Sequence, residues 1–222
     1  MTLPRKPQAV VFDMDGLLFD TEALYRDSVL AVAAEDGLDL PIKLFLRTIG
    51  LPLEPTRALF TAHFGPGFDF ERFWKASAVR HHELAAARRY LKTGAEELLD
   101  ALDAVRLKRA IATSSSHATV QRNLKHHDLA DRFHVIVAHG DYARCKPNPD
   151  PFLTAAQRLG VAPADCLALE DSYNGIRAAS AAGMMTVMVP DLLGPTEEMR
   201  GLCLRIARDL HEVRTLLATS AG

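Results

Sequence analysis

Five short apolar runs punctuate this chain, and each closes on small or polar residues. Ala9-Val10-Val11-Phe12 runs into Asp13, and Arg109-Ala110-Ile111-Ala112 runs into Thr113 and three serines. Val135-Ile136-Val137-Ala138, Cys166-Leu167-Ala168-Leu169 and Thr186-Val187-Met188-Val189 follow the same form. Continuous apolar runs of this length predict strands buried on both faces, the habit of a parallel sheet. Between them apolar residues recur at helical spacing. The stretch from Ala95 to Leu107 puts Leu98, Leu99, Leu102 and Val105 on one face. Another, Pro151 to Leu159, opens with a proline that a first turn tolerates and stops at Gly160; Asn174 to Ala182 stops at Gly183. Strands alternating with helices predict an α/β fold, a parallel sheet core with helices on both faces.

One stretch breaks the alternation. From about Glu22 to Arg89 the pattern contains no strand, only helix-period segments. Tyr25, Val29 and Val32 share a face, as do Phe70, Phe73, Trp74 and Ser77, and Gly50-Leu51-Pro52 and Gly65-Pro66-Gly67 mark turns. Phe68, Phe70, Phe73 and Trp74 are expected to form a core of their own. The pattern therefore predicts an all-helical domain at 20–90, inserted into an α/β core formed by 1–19 and 91–222. The joints near Leu17–Asp20 and Tyr90–Gly94 are the expected hinges.

Composition narrows the function classes. With 222 residues, 48% hydrophobic and 24% charged, the chain is ordinary for a globular protein of one domain plus an insert. A net charge of −2 provides no basic field for nucleic acid or anionic membrane. No apolar run approaches the roughly 20 residues that span a bilayer, and the first residues do not read as a signal peptide. Cys145, Cys166 and Cys203 are few, odd in number and without metal-ligand spacing, so they read as reduced thiols, with Cys145 packed and inert. The expectation is a cytoplasmic monomer acting on a small molecule.

The chemistry is concentrated where the predicted strands end. Ligands of an open parallel sheet bind outside the carboxyl ends of its strands. Here those ends carry Asp13-Met14-Asp15-Gly16, Thr113-Ser114-Ser115-Ser116 and Glu170-Asp171, and a loop adds Lys146-Pro147-Asn148-Pro149. So many carboxylates in a small volume cannot all stay ionised without a cation. An all-oxygen set suits a hard ion such as Mg²⁺. With their charge offset, one carboxylate could attack phosphorus, while Thr113, backbone N–H groups and Lys146 hold the phosphoryl oxygens. Taken singly, each group also reads as an ordinary turn, cap or surface residue; only the combination is specific. His81-His82 reads as structural, because neighbouring helix residues face different ways.

These residues, in this order, closely resemble the four motifs of haloacid dehalogenase-type phosphatases. The first is Val11-Phe12-Asp13-Met14-Asp15-Gly16 with Asp20-Thr21-Glu22, and the second is Thr113 at a strand end. The third is Lys146-Pro147-Asn148-Pro149-Asp150, and the fourth is Leu169-Glu170-Asp171-Ser172 with Asn174-Gly175-Ile176. The resemblance spans almost the whole chain, and the insert resembles the small cap of the β-phosphoglucomutase and sugar-phosphate phosphatase subfamily. It implies a Rossmann-like core, Mg²⁺ as cofactor and an aspartyl-phosphate intermediate. It further implies Asp13 as nucleophile and metal ligand, and Asp15 as general acid and base with its carbonyl on the metal. Thr113, Ser114 and Lys146 would hold phosphate, Asp171 would bind metal, and Glu170 would bind it directly or through water.

The acid at Asp15 favours phosphoryl chemistry over the dehalogenase and phosphonatase relatives, which lack it. A β-phosphoglucomutase carries an Arg-x-Lys-Gly-x-Ser-Arg type run in its cap, where this chain reads Arg47-Thr48-Ile49-Gly50-Leu51-Pro52-Leu53. Ile49, Pro52 and Leu53 replace the lysine, serine and second arginine, so hydrolysis is preferred over mutase chemistry. Arg47, with Arg26, Arg57 and Lys75, is a candidate substrate contact. A catalytically silent phosphate-binding protein is the remaining alternative.

Overall fold

The computed structural model describes residues 3–49, 51, 53–87 and 90–219. Gly50 and Pro52 of the expected turn lie outside them. The chain forms two compact units, one of Met1–Asp20 with Leu91–Gly222 and one of Thr21–Tyr90.

The first unit is built on a six-stranded parallel sheet: β1 (Ala9–Phe12), β2 (Lys108–Ser116), β3 (Val135–His139), β4 (Cys166–Glu170), β5 (Met185–Met188) and β6 (Arg205–Ile206), in the order β3-β2-β1-β4-β5-β6. β1 is central because its four residues are wholly apolar and buried, which only an interior strand requires. Its register pairs Phe12 with both Ile111 and Leu169, and the Asp13 N–H donates to the Leu169 carbonyl at 2.9 Å. The strand order reverses direction at β1, so a crevice opens at the carboxyl ends of β1, β2 and β4. The expected strand at 186–189 lies one residue earlier, and β6 is too short to be read from a pattern.

Every secondary-structure element among the second unit's described residues is a helix: α1 (Thr21–Glu35), α2 (Ile42–Leu46), α3 (Leu53–Phe64) and α4 (Phe70–Ala87). Phe60 sits at its centre, with ring centroids of Phe64, Phe68, Phe70, Phe73 and Trp74 between 5.5 and 6.3 Å away. The two serines in this interior are bonded to their own helices, Ser28 Oγ donating to the Leu24 carbonyl and Ser77 Oγ to that of Phe73, at 2.6 and 2.9 Å. Asp36 and Glu35 at the end of α1 pair with Arg72 and Arg80 of α4.

Around the sheet lie α5 (Ala95–Ala104), α6 (His117–His126), α7 (Asp150–Leu159), α8 (Tyr173–Ala181), α9 (Glu197–Leu202) and α10 (Leu210–Thr219). Leu98, Leu99 and Leu102 are buried as their spacing predicts, but α5 stops at Ala104 and leaves Val105 68% exposed. On one face, Phe152, Ala155 and Ala156 of α7 and Ala178 and Ala179 of α8 pack on Val11, Ala110, Ala112 and Ala168 of the sheet. Small side chains on both surfaces let helix and sheet approach closely. Arg109, which opens the second apolar run, is itself buried. Its guanidinium donates to the carbonyls of Leu99 and Arg132 and to Asp103, which satisfies a group that could not otherwise enter a core.

The joints expected to act as hinges are tied on the core side. Leu18 and Phe19 turn back to donate to the Met14 carbonyl, the Lys92 N–H donates to the Leu18 carbonyl at 2.9 Å, and Phe19 bridges Leu91. Lys92 also pairs with Asp191 at 2.6 Å and with Asp20 at 3.4 Å.

At the far end, Glu212 accepts from Arg205 and Arg208, and the Arg205 guanidinium and the Arg208 backbone hold its carboxyl down at about 2. A carboxyl lowered on folding contributes stability above its unfolded value near 4.5, and that contribution is lost as pH falls towards 2. Glu212→Gln is therefore expected to lower the melting temperature at pH 7, where that contribution is full, and to flatten its fall between about pH 4.5 and 2; thermal melts from pH 7 down to 2 check it.

Candidate active site

The carboxyl ends of β1, β2 and β4 bring together side chains that are far apart in sequence. Asp13 follows β1 and is 7% exposed. Lys146 reaches in from the loop before α7, and its Nζ donates to Asp13 Oδ1 at 2.5 Å and to Glu170 Oε1 at 2.6 Å. The same ammonium lies 5.0 Å from the ring centre of Phe152. Glu170 closes β4 and is fully buried; its Oε2 accepts from the backbone N–H groups of Asp171 and Ser172 and from the Ser172 hydroxyl, at 2.9–3.0 Å. Asp171 lies next to them, and its Oδ1 is buried with no hydrogen-bond partner among the described residues. One carboxylate oxygen each from Asp13, Glu170 and Asp171 fall within 4.8 Å of one another.

Two glycines make this packing possible. A Cβ at Gly175 would lie 1.6 Å from Glu170 Oε1, so the N-terminus of α8 can close over the carboxylate only without a side chain there. Gly16 has φ +82°, and a Cβ on it would lie 2.3 Å from Asp171 Oδ2. Gly16 belongs to the first motif and Gly175 to the fourth, and the reason for each is close approach to an acid.

The acids do not sit comfortably. Burial, followed by the charges of Glu170 and Asp15, pushes Asp13 up to about 8 against the pull of Lys146. Burial, then Glu170, Asp13 and Asp191, holds Asp171 well above the carboxylate range. Burial pulls Lys146 down, but the charges of Asp13 and Glu170 and the hydrogen bonds to both outweigh it, so its ammonium is held above the ordinary lysine range. Two buried carboxylates and the partly buried Asp171 thus face one cation. A hard divalent ion with oxygen ligands fits this donor set, and the unsatisfied Asp171 Oδ1 is the atom that most needs one. Glu170 fits it least, because both of its oxygens already accept hydrogen bonds.

On the β2 side the ladder to β3 shifts register between Ala112 and Ser116, which takes residues 113–115 out of regular pairing. Thr113 is buried, and its Oγ1 accepts from the Ser115 N–H at 3.0 Å; Ser114 is exposed. Asp15 is half-buried and its Oδ2 accepts from Ser115 Oγ at 2.7 Å. Arg47 is exposed at the end of α2 in the helical unit. Of the other cap cations, Arg26 is paired with Asp27 and Arg57 with Glu54 and Glu71. Cys145 is exposed rather than packed.

Two contacts were not readable in the sequence. Ser115 is one of four hydroxyl residues in a row, and nothing in the row marks it out. Tyr142 donates from its hydroxyl to the Thr113 carbonyl at 3.0 Å from a loop 29 positions away. No local signal announces it.

A neutral side chain at Asp171 should relieve this crowding. Asp171→Asn is expected to raise the melting temperature in metal-free buffer at pH 8 by a few degrees, at about 2–4 °C per kcal/mol, and to shrink the further rise on adding Mg²⁺. A variant that melts lower than the parent without metal would contradict the crowding.

A family model described as haloacid dehalogenase-like hydrolase matches residues 10–189. The chain is 37% identical over 193 residues to a probable pseudouridine-5′-phosphatase of Drosophila melanogaster, covering 84% of this chain and 83% of that one. It is 33% identical over 194 residues to hexitol phosphatase B of Escherichia coli K12, covering 86% of each. Among solved structures it superposes on a haloacid dehalogenase family hydrolase of Deinococcus radiodurans with bound phosphate and sodium, with a TM-score of 0.84, 28% identity and coverage of 97% and 96%.

Proposed function

This chain belongs to the haloacid dehalogenase-like hydrolase family, and on that premise we propose that it is a Mg²⁺-dependent phosphatase of small phosphate monoesters, sugar phosphates among them. The observation that carries the reading is the convergence of four separate segments at the carboxyl ends of β1, β2 and β4: Asp13, Thr113 to Ser115, Lys146, and Glu170 with Asp171. Each supplies something that phosphoryl transfer needs, a nucleophile, a cradle, a fixed positive charge and a metal site. The phosphatase names of the relatives support the same reading.

Asp13 is the nucleophile in this reading. One of its oxygens forms a bond to phosphorus as the ester P–O bond breaks, and the leaving oxygen takes the bonding pair and a proton from Asp15. A water molecule then gives one of its own protons to Asp15 and attacks the aspartyl phosphate with its oxygen, and Asp13 leaves as carboxylate. Throughout, Lys146, Thr113 and the Ser114 N–H hold the transferring oxygens. Mg²⁺, held by Asp13, Asp171 and the Asp15 carbonyl, would offset carboxylate charge that otherwise repels a phosphate dianion. Glu170 acts differently, fixing Lys146 from behind and joining the metal through water, since its oxygens are taken.

Within the helical unit, Arg47 is our candidate for a substrate contact, being exposed while Arg26 and Arg57 are paired. Hydrolysis is favoured over mutase chemistry because Ile49 and Leu53 put apolar side chains where a mutase needs cations for a second phosphate.

Phosphate release from a panel of sugar and nucleoside monophosphates, with Mg²⁺ and with chelator, tests the reading. Release is expected with metal only, and Asp13→Asn should lower it by at least about 10³-fold, as loss of a covalent nucleophile does. Conversion of a hexose 1-phosphate to the 6-phosphate without phosphate release would replace this reading with the mutase.

A further inference from the structure

We infer that Ser115 is a positioning residue that fixes which oxygen of Asp15 exchanges the proton. The inference rests on the phosphatase reading and deepens it.

The Ser115 hydroxyl donates to Asp15 Oδ2 at 2.7 Å, across 100 positions of sequence. Both ends of this bond are held independently of it. On one side, Asp15 stands in a tight turn after β1 whose Gly16 N–H donates to the Phe19 carbonyl at 2.8 Å, and Asp15 bridges Phe19. On the other, the Ser115 N–H is bound to Thr113 Oγ1, Tyr142 pins the Thr113 carbonyl, and Ser116 caps α6 by accepting from the Thr119 N–H at 3.3 Å. A hydroxyl mounted on so fixed a segment sets the rotation of the carboxyl it binds.

The consequence is specific to a group that must both give and take a proton. A donor on Oδ2 is compatible with Asp15 ionised, when Oδ2 is a carboxylate oxygen. It is equally compatible with Asp15 protonated on Oδ1, when Oδ2 is the carbonyl-type oxygen. While Ser115 donates to it, Oδ2 is the oxygen committed to this bond and Oδ1 is the one it does not engage. Ser115 therefore holds the same bond through both half-reactions and leaves Oδ1 to protonate the leaving oxygen and later to take the proton from water.

A proton donor matters in proportion to how badly the leaving group needs one, and this separates positioning from general structural support. An alkyl phosphate such as glucose 6-phosphate or ribose 5-phosphate must leave as an alcohol, whereas p-nitrophenyl phosphate can leave as the phenolate. kcat/KM reports the first transfer alone, before the common hydrolysis of the aspartyl phosphate. Ser115→Ala is expected to lower kcat/KM on the alkyl esters by about 10-fold or more, a fraction of the roughly 10²–10⁴ that general acid catalysis supplies. On p-nitrophenyl phosphate the loss should stay below about 3-fold, and that activity also shows that the variant is folded. Ser115→Thr, which keeps the hydroxyl, should recover most of the alkyl-ester activity. Equal losses on both ester types, or no loss on either, would overturn the assignment while leaving the phosphatase intact. A parent protein that releases phosphate from neither ester type with Mg²⁺ would overturn the phosphatase reading, and this role with it.

Discussion

Three carboxylates and one ammonium share the carboxyl end of this sheet, and most of the local structure follows from holding them there. Asp13, Glu170 and Asp171 would separate in water, yet β1 and β4 are neighbours with Phe12 opposite Leu169, so the acids that come next in each, Asp13 and Glu170, meet. Lys146 offsets part of the charge by bridging Asp13 and Glu170. The remainder is felt as raised proton affinity at Asp13 and Asp171. Gly175 and Gly16 are glycine because these acids leave no room for a Cβ. An arrangement that costs stability persists in folded proteins where the strain serves a function, and a site waiting for a divalent cation and a phosphate is such a place.

The surroundings are quiet by comparison. The sheet buries apolar runs against small helix faces, and the buried Arg109 is satisfied by carbonyls and Asp103. The helical unit closes around Phe60 with its two interior serines bonded to their own helices. The crowding of like charges lies at the end of the sheet where β1, β2 and β4 converge, on a base of packed apolar strands.

The sequence exposed the sheet and the acids for the same reason: both lie in short, self-contained strings. Ala9 to Phe12 cannot be anything but an interior strand, and the acid after it must then lie at a strand end. The helical character of residues 22–87 was legible from its missing strands. What stayed hidden depended on distance or on length. Strand β6 has two residues, and its place in the sheet is set by β5. Val105 fits the helical period, but α5 has already ended. Ser115 and Tyr142 meet Asp15 and Thr113 only because β2 slips its register and a remote loop folds back, and neither event leaves a local pattern. Glu170 was legible as an acid at the site, but its saturation by Lys146 and the α8 N-terminus was not.

The charge imbalance itself is open to direct measurement. Calorimetric titration of the metal-free protein with Mg²⁺ at pH 7, in two buffers of different ionisation enthalpy, counts the protons released as the ion binds. With Asp13 pushed up to about 8 and Asp171 well above its ordinary range, the ion must displace protons to reach its ligands. The account predicts saturable binding with net release of close to one proton or more at pH 7, shrinking as pH is raised and the two carboxyls ionise before the ion arrives. Binding without proton release at pH 7, or no binding at millimolar Mg²⁺, would contradict it.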